Sequence, residues 1–223
     1  MPSPAVTGFL TNVVLPLLLG VVSSFLVVFF VESKKRPRLV LTAEDPQNAS
    51  YDPSAPARHG TFVCVIVSNQ RLPWGFQRLN RESAISCRAE IQFSSVDGED
   101  FTPMQGRWKS LPEPVPSFGM LGDVQFNIWN PNIWQLAGSG MDIPAGEKEK
   151  LDIAIRFDDE QDAFGWSNAS YQPPTLWRNP KWKLGKGRHV VTVTVRAGGQ
   201  KWTDAFELNN DGRRDELRLT RKT

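Results

Sequence analysis

The sequence predicts an all-β protein, an antiparallel β-sandwich with long Trp-rich loop insertions, preceded by one transmembrane α-helix. Three observations predict it: an uncharged apolar run near the N-terminus, an apolar–polar alternation with a period of two in much of the remainder, and Pro- and Gly-rich stretches between the alternating segments. A period of two is typical of strands with one buried face, whereas an amphipathic helix repeats about every 3.6 residues. Many short strands without a long soluble helix pack most naturally as two sheets.

The apolar run covers residues 9–31, and a basic segment, residues 32–38, follows it at once. At about 1.5 Å per residue, a helix of this length covers the ~30 Å hydrocarbon core of a bilayer. Residues 1–8 carry no charged side chain, whereas four basic ones follow the run: Lys34, Lys35, Arg36 and Arg38. Because basic residues are retained on the cytoplasmic side, we expect a single-pass protein of the cell membrane with its N-terminus outside. The four basic side chains are expected at the anionic membrane surface.

The chain therefore divides into four parts: a short extracytoplasmic tail (1–8), a transmembrane helix (9–31), a basic juxtamembrane segment (32–38) and a cytoplasmic β-sandwich domain (39–223). Two other interpretations of the apolar run are weaker. A cleaved signal has a basic start, an apolar stretch of ~7–15 residues and a small-residue cleavage site, none of which this segment shows. A buried core helix would need partners with helical periodicity to cover it on every side, and the rest of the sequence has none.

Two small residues on the predicted span, Gly20 and Ser24, lie four positions apart. Small residues at this spacing allow two membrane helices to approach closely. A homodimer through this face of the helix is therefore a secondary expectation.

Composition restricts the function of the remainder. The formal net charge is +2, and the juxtamembrane segment alone accounts for it. Proteins that bind duplex nucleic acid usually present a strongly basic face, so no nucleic-acid partner is expected. Cys64 and Cys87 do not form a disulfide framework, and each lies in a strand-like run. Buried free thiols in a reducing cytoplasm are the expectation for both.

The strands can be placed in order along the chain. They are predicted at 39–43, 61–67, 84–93, 149–157, 188–196, 201–208 and 215–220, with short strands near 123–129. Within 84–93, four alternate residues are predicted to face the core: Cys87, Ala89, Ile91 and Phe93. Within 149–157 the residues predicted to face the core are Leu151, Ile153, Ile155 and Phe157. The Gly198-Gly199 turn predicts a hairpin, and proline content predicts loops at 45–60, 103–146 and 158–186.

Three of these segments resemble the core strands of bacterial and archaeal immunoglobulin-like adhesion or accessory modules. They are Val65–Asn69, Ala84–Ile91 and Ile143–Ile153, the last containing the turn Pro-Ala-Gly-Glu. In such modules an apolar strand ending in Asn precedes an alternating strand, and a Pro-x-Gly-Glu turn leads into the next one. The resemblance implies an immunoglobulin-like sandwich behind the membrane anchor, with 103–140 and 158–186 as insertions. It implies no site and no activity.

The tryptophans are the main compositional feature of the loops. Five lie in the two longest loop regions, and Trp182 closes the second; the five are Trp108, Trp129, Trp134, Trp166 and Trp177. One interpretation is that these rings pack irregular loops onto the sandwich. The other is that some contact a protein partner, since Trp and Arg are enriched in interface hot spots. The residues predicted to contact a partner are Trp177, Arg178, Lys181, Trp182, Arg107 and Trp108; a resting place for the 177–183 stretch on the inner leaflet is an alternative.

No catalytic motif is found. The two histidines, His59 and His189, lie in neither a metalloprotease nor a zinc pattern, and no phosphate-binding glycine loop is present. The acidic stretch Asp158–Asp162 could hold a cation, but it lacks the spacing and the glycine of a calcium loop. We therefore expect no catalytic residue, no metal site and no cofactor.

Three functions are compatible with these sequence observations. The favoured one is a non-enzymatic, single-pass, membrane-anchored binding or scaffold module whose cytoplasmic sandwich docks a protein partner. An extracytoplasmic carbohydrate-binding or adhesion-type domain would require the basic segment on the other side of the bilayer. A metal-dependent membrane-bound hydrolase would have to use the acidic stretch 158–162.

Overall fold

The computed structural model describes residues 14–50, 59–95, 101–112, 117–122, 124–128, 140–171, 178–212 and 217–222. These residues form one α-helix, Leu15–Lys35 (α1), and fifteen strands. The strands are β1 (Leu39–Ala43), β2 (Gln47–Ser50), β3 (His59–Asn69), β4 (Ala84–Ser95), β5 (Met104–Gln105), β6 (Arg107–Trp108), β7 (Ser117–Leu121), β8 (Val124–Ile128), β9 (Met141–Ile143), β10 (Lys148–Phe157), β11 (Ala163–Gly165), β12 (Lys183–Leu184), β13 (Gly187–Ala197), β14 (Gln200–Asn210) and β15 (Leu217–Arg221). The predicted class, mostly antiparallel β with one apolar N-terminal helix, is confirmed.

Two antiparallel sheets form the body of the protein. The first has the order β1-β3-β10-β11-β12, with β2 also beside β3 and β6 beside β10. The second has the order β15-β14-β13-β4-β5, with β9 also beside β4. Strands β7 and β8 pair with each other. Buried side chains from both large sheets belong to one hydrophobic core, as expected of a sandwich-like arrangement.

The alternation predicted for β4 is present. Its Cys87, Ala89, Ile91 and Phe93 are buried. Each of the last three lies opposite a buried valine of β13, in the pairs Ala89–Val195, Ile91–Val193 and Phe93–Val191. Such cross-strand apolar pairs are the basic unit of sheet stability. The hairpin predicted at Gly198-Gly199 is confirmed, and both glycines have the positive φ that a tight turn requires.

The predicted loops contain more paired backbone than expected. Gln47–Ser50 lies in the predicted 45–60 loop but forms β2 against β3, with Thr61 donating to Asn48 Oδ1 at 2.9 Å. The regions 103–146 and 158–186 contribute seven of the short strands, β5–β9 and β11–β12. Five of the seven, β5, β6, β9, β11 and β12, have only two or three residues, which are too few to show a period. Strands β7 and β8 have five residues each and pair with each other, and β8 lies where short strands were predicted, near 123–129.

Strand β10 is buried on both faces from Leu151 to Phe157, and a bulge between Asp152 and Ala154 shifts its register against β3. Leu151 and the bulged residue Ile153 belong to the main core; after the bulge, Ile155 and Phe157 belong to a second apolar cluster. The prediction that all four face one core was therefore wrong for the last two. A bulge inserts one residue and reverses the alternation that follows.

The second cluster covers the outer face of the first sheet. It is completed by Phe164, Trp166 and Tyr171, from β11 and the 3-10 helix Asn168–Tyr171. Trp166 stacks edge-on against Phe62 at 5.5 Å and against Tyr171 at 5.1 Å between ring centroids. Trp166 thus fastens its loop to the sheet, as one of the two interpretations of the loop tryptophans predicted.

The chain forms two compact units. One contains the described residues up to Pro37 together with Arg71–Glu82; the other contains Arg38–Gln70 and the described residues after Ser83. The β3–β4 connection thus belongs to the same compact unit as α1.

The closest backbone approach at a glycine provides a test of the fold. A Cβ at Gly140 would lie 2.3 Å from the backbone carbon of Ser86, whereas one at Gly75 would meet nothing within 4 Å. We expect Gly140→Ala to lower the free energy of unfolding by about 1–3 kcal/mol, the usual cost of overpacking. Gly75→Ala should change it little. Thermal unfolding of the full chain in detergent measures both, and equal melting temperatures for the two variants would contradict the placement of β9 against β4.

Candidate functional site

Helix α1 has no buried side chain. Its large apolar residues are exposed along its whole length, for example Phe25 at 72% and Phe29 at 73%. A continuous apolar surface of this size is not stable in water and indicates contact with lipid or protein. In length and composition the helix fits either a membrane span or a signal sequence.

The C-terminal end of α1 is basic. Lys34 and Lys35 lie in its last turn, and Lys35 pairs with Glu32 at 3.2 Å. Cations at a helix C-terminus are stabilised by the helix dipole. Arg36 caps the helix and is exposed, so the predicted basic cluster begins where the apolar surface ends.

Residues 71–82, here called the juxtamembrane loop, are fastened to this end of the helix. The loop contains the 3-10 helix Trp74–Leu79. The Glu82 amide donates to the carbonyl of Lys35 at 2.7 Å, and Arg81 Nη1 donates to the carbonyl of Arg36 at 2.9 Å. The last carbonyls of a helix have no partner within the helix. The loop therefore supplies the donors that this helix end lacks.

An aromatic cluster joins the loop to the helix. The rings of Phe30 and Phe76 lie 6.0 Å apart, and Lys34 Nζ lies 5.3 Å from the first and 5.9 Å from the second. These distances allow ring–ring and cation–π attraction. Trp74 is 89% exposed and Phe76 is 39% exposed. Two large apolar rings are thus exposed to solvent beside the basic end of α1.

Sequence reasoning did not identify Trp74 and Phe76 as functional residues. The tryptophans considered as contact residues were those of the two longest loops, and Trp74 lies in a shorter connection. A signal was present, since Leu72-Pro-Trp-Gly-Phe76 places three large apolar residues close together in a short connection. Such a run between strands is unusual unless its side chains have an apolar neighbour.

Three of the predicted partner-contacting residues belong to the interior. Arg107 and Trp108 are 2% exposed and Trp182 is 6% exposed. The indole N–H of Trp108 donates to the carbonyl of Cys87 at 3.1 Å, and that of Trp182 donates to the carbonyl of Thr102 at 3.0 Å. These three side chains therefore pack within the folded domain and present little surface to a partner.

The other predicted contact residues have mixed positions. Arg178 pairs with Glu160, and its guanidinium lies 4.6 Å from the ring centroid of Phe157. Lys181 is exposed, at the centre of the 3-10 helix Pro180–Trp182. Trp177 lies outside the described residues. Trp129 and Trp134, singled out as loop tryptophans, also lie outside them.

The other residues singled out in the sequence occupy the following positions. Gly20 is exposed on α1, and Ser24 Oγ donates to its carbonyl at 2.8 Å. The backbone amide of Arg38 donates to Asn69 Oδ1 at 3.1 Å, at the start of the first sheet. His189 is a buried strand residue of β13, whose Nε2 lies 2.9 Å from the carbonyl of Gly185.

A buried polar cluster lies on the outer face of the first sheet. Arg107 forms an ion pair with Asp152, and Cys64 Sγ donates to Asp152 Oδ1 at 3.4 Å. Arg107 Nη2 also donates to the carbonyl of Leu111 at 2.9 Å. Burial raises the pKa of the Cys64 thiol, and the nearby Asp152 carboxylate raises it further. Because the thiolate is the nucleophilic form, this cysteine is held in its unreactive state.

The acidic stretch 158–162 does not converge on one point. Glu160 pairs with Arg178, while Asp162 pairs with Lys183 at 2.8 Å. Across the described parts of the chain, no group of three or more His, Cys, Asp or Glu side chains is placed to hold a metal ion. Carboxylates that face separate cations do not form a cation cage.

Comparisons with protein-family models, with curated proteins and with solved structures found no match for this chain.

The two cysteines give a test of the described core. Both are free and buried, and burial raises the pKa of the Cys87 thiol to about 11. Both thiols therefore stay protonated well above the ordinary value of about 8.5. We expect no reaction with a thiol-specific disulfide reagent at pH 8 in the folded protein and reaction of both cysteines after denaturation. Rapid labelling of the folded chain would contradict the burial.

The Arg107–Asp152 pair gives a second test, with a defined pH dependence. Arg107→Met leaves a buried carboxylate unpaired, which costs about 3–5 kcal/mol of stability near pH 7. Burial already raises the pKa of Asp152, and removing Arg107 raises it further. A raised carboxyl pKa favours the folded state only at low pH, so the deficit should shrink as the pH falls towards about 3.9, the value in the unfolded chain.

The matched control is the double variant Arg107→Met/Asp152→Leu, which removes both charges and should recover most of the loss. Urea unfolding in detergent at several pH values measures all three proteins. A pH-independent deficit in Arg107→Met would contradict the role given to Asp152.

Proposed function

We propose that this chain is a non-enzymatic, single-pass, membrane-anchored binding or scaffold module. Helix α1 holds it in the cell membrane, and the sandwich lies in the cytoplasm and docks a protein partner. The observation that carries the proposal is that α1 buries no side chain and ends in Lys34 and Lys35. An apolar rod without internal cover needs a lipid environment.

The contacts of the helix end favour a retained span over a cleaved signal. The carbonyls of Lys35 and Arg36 accept hydrogen bonds from the juxtamembrane loop, and Phe30 packs on Phe76. Cleavage after the apolar run would remove Phe30 and leave Phe76 without this contact. Signal peptides are discarded and do not usually contribute to the folded protein.

Charge supports the orientation. Basic side chains cluster on the C-terminal side of the span, and basic residues are retained on the cytoplasmic side. Cys64 and Cys87 are both free and buried, which suits a reducing compartment.

The sandwich is proposed to be immunoglobulin-like. Its support is the pair of antiparallel sheets around one core, with β3 and β10 central in the first and β13 and β4 adjacent in the second. Within the described residues, the partner surface is proposed to include Arg178 and Lys181. These are the members of the predicted set that keep a cationic group outside the core.

The absence of catalysis is proposed on the chemistry of the groups that could react. The Cys64 thiol is buried beside a carboxylate, and the acidic stretch divides between Arg178 and Lys183. Neither arrangement presents an activated nucleophile or a metal cage to a substrate.

A reporter that is active only in the cytoplasm, fused after Thr223, tests the topology. We expect activity, together with retention of the protein in the membrane pellet after alkaline carbonate extraction. A matched reporter that is active only outside the cytoplasm should be silent. If the external reporter is the active one, the cytoplasmic scaffold is excluded and the carbohydrate-binding alternative takes its place.

A further inference from the structure

We propose that the juxtamembrane loop, residues 71–82, is a membrane-interface element whose Trp74 and Phe76 insert into the headgroup–acyl boundary of the bilayer. The ligand is the lipid surface on the side where α1 ends. This inference rests on the proposed function only in requiring that α1 spans a membrane. It does not depend on which side of the membrane the sandwich occupies.

Phe76 is held close to the level at which the surface of α1 changes from apolar to charged. Phe30 lies two residues before Glu32, the first charged residue after the apolar run. At about 1.5 Å per residue, Phe30 is therefore about 3 Å below the level at which the helix becomes charged. Phe76 packs on Phe30 with 6.0 Å between the ring centroids. A loop held at this level meets the boundary between hydrocarbon and headgroups wherever the helix spans.

Several contacts fix the position of the juxtamembrane loop relative to the end of α1. Two hydrogen bonds tie the loop to the helix end, from Glu82 to the Lys35 carbonyl and from Arg81 to the Arg36 carbonyl. Lys34 adds a contact with the Phe30 and Phe76 rings. The loop and the helix end belong to one compact unit. The depth of the helix thus determines the depth of the loop.

Trp74 has a side chain suited to the membrane–water interface. Trp74 is 89% exposed, the highest value among the large apolar residues of the described chain. Tryptophan is enriched at the membrane–water interface, where its ring contacts acyl chains and its N–H reaches water or headgroups. An exposed Trp that would be unfavourable in water is favourable at this depth.

Cationic side chains accompany the two rings in the same compact unit. Arg36 and Arg71 are exposed, and Lys34 and Arg81 are partly exposed, on the same unit as the two rings. An apolar insertion flanked by cations is the pattern of segments that bind anionic membrane surfaces. Charge and apolar surface therefore point to the same ligand, a bilayer that contains anionic lipid.

An environment-sensitive probe at Gly75 tests the proposal in the full-length protein. A Cβ at Gly75 would meet nothing within 4 Å, and both native cysteines are buried. Gly75→Cys can therefore be labelled selectively with a nitrobenzoxadiazole dye while Trp74 and Phe76 are kept. The matched control is Lys201→Cys, at an exposed position of β14. Both proteins are reconstituted into vesicles of phosphatidylcholine with phosphatidylglycerol.

We expect blue-shifted emission from the probe at Gly75 and quenching by lipids spin-labelled near the glycerol backbone. The quenching should be about threefold or more that at Lys201, because the interfacial region is narrow. Adding Trp74→Ala and Phe76→Ala should weaken it. As a second readout with the native side chain, bromolipid quenching of tryptophan fluorescence should fall in Trp74→Phe relative to the unchanged protein.

Carbonate extraction of the same vesicles separates the two proposals. If the protein stays in the membrane and the Gly75 probe shows the red-shifted, unquenched emission of a dye in water, the interface element is refuted and the membrane anchor stands. In that case the loop faces water or a protein partner. If the protein is extracted, the anchor itself is refuted and the interface element with it.

Discussion

The outer face of the first sheet is apolar after the bulge in β10, and the arrangement of the loop that follows β10 depends on the need to cover this part. The bulge in β10 turns Ile155 and Phe157 outward, next to Phe62 of β3. A sheet with two apolar faces needs cover on both. The second sheet covers one face, and side chains of β11 and of the segment that follows it to Tyr171 cover part of the other. Of the loop tryptophans that the structure describes, Trp166 belongs to this cover, whereas Trp108 and Trp182 belong to the main core.

The same need for cover explains the polar groups within the outer layer. Arg107 lies on β6, where the neighbouring Trp108 faces the main core and the guanidinium reaches Asp152. A buried ion pair is tolerated only when its hydrogen-bonding groups are satisfied. Cys64 and the carbonyl of Leu111 provide further partners. The pair therefore closes a layer of which the rest is apolar.

The apolar surface of α1 has no such cover from the described chain, and the juxtamembrane loop extends that surface where the helix ends. Phe76 continues the apolar side of Phe30, while Lys34 lies over both rings. This combination of an apolar rod, an aromatic step and a cationic rim follows the order of environments met on leaving a bilayer. One lipid environment would satisfy all three parts at once.

Strand prediction succeeded where the pattern was long. The 84–93 alternation and the 188–208 hairpin are present as expected, because ten or so residues are enough to show a period of two. It failed at β2, at β11 and at β12, where segments of two to four residues are too short to show a period and form strands only by pairing with a neighbouring strand. The exposure of the tryptophans could not be predicted for a related reason: a Trp between the long strands has the same sequence signature whether it packs inward, like Trp108 and Trp182, or stays exposed, like Trp74.

By itself, the sequence determined the apolar helix, its basic end and the longer strand-forming segments, because these follow from local period and local charge. Only the tertiary structure decided which strands share a sheet, where the bulge reverses β10, and which aromatic rings are left outside. Those outcomes depend on contacts between residues far apart in the chain. The juxtamembrane loop shows this most directly, since its link to α1 joins Glu82 to Lys35 and leaves no trace in the residues between them.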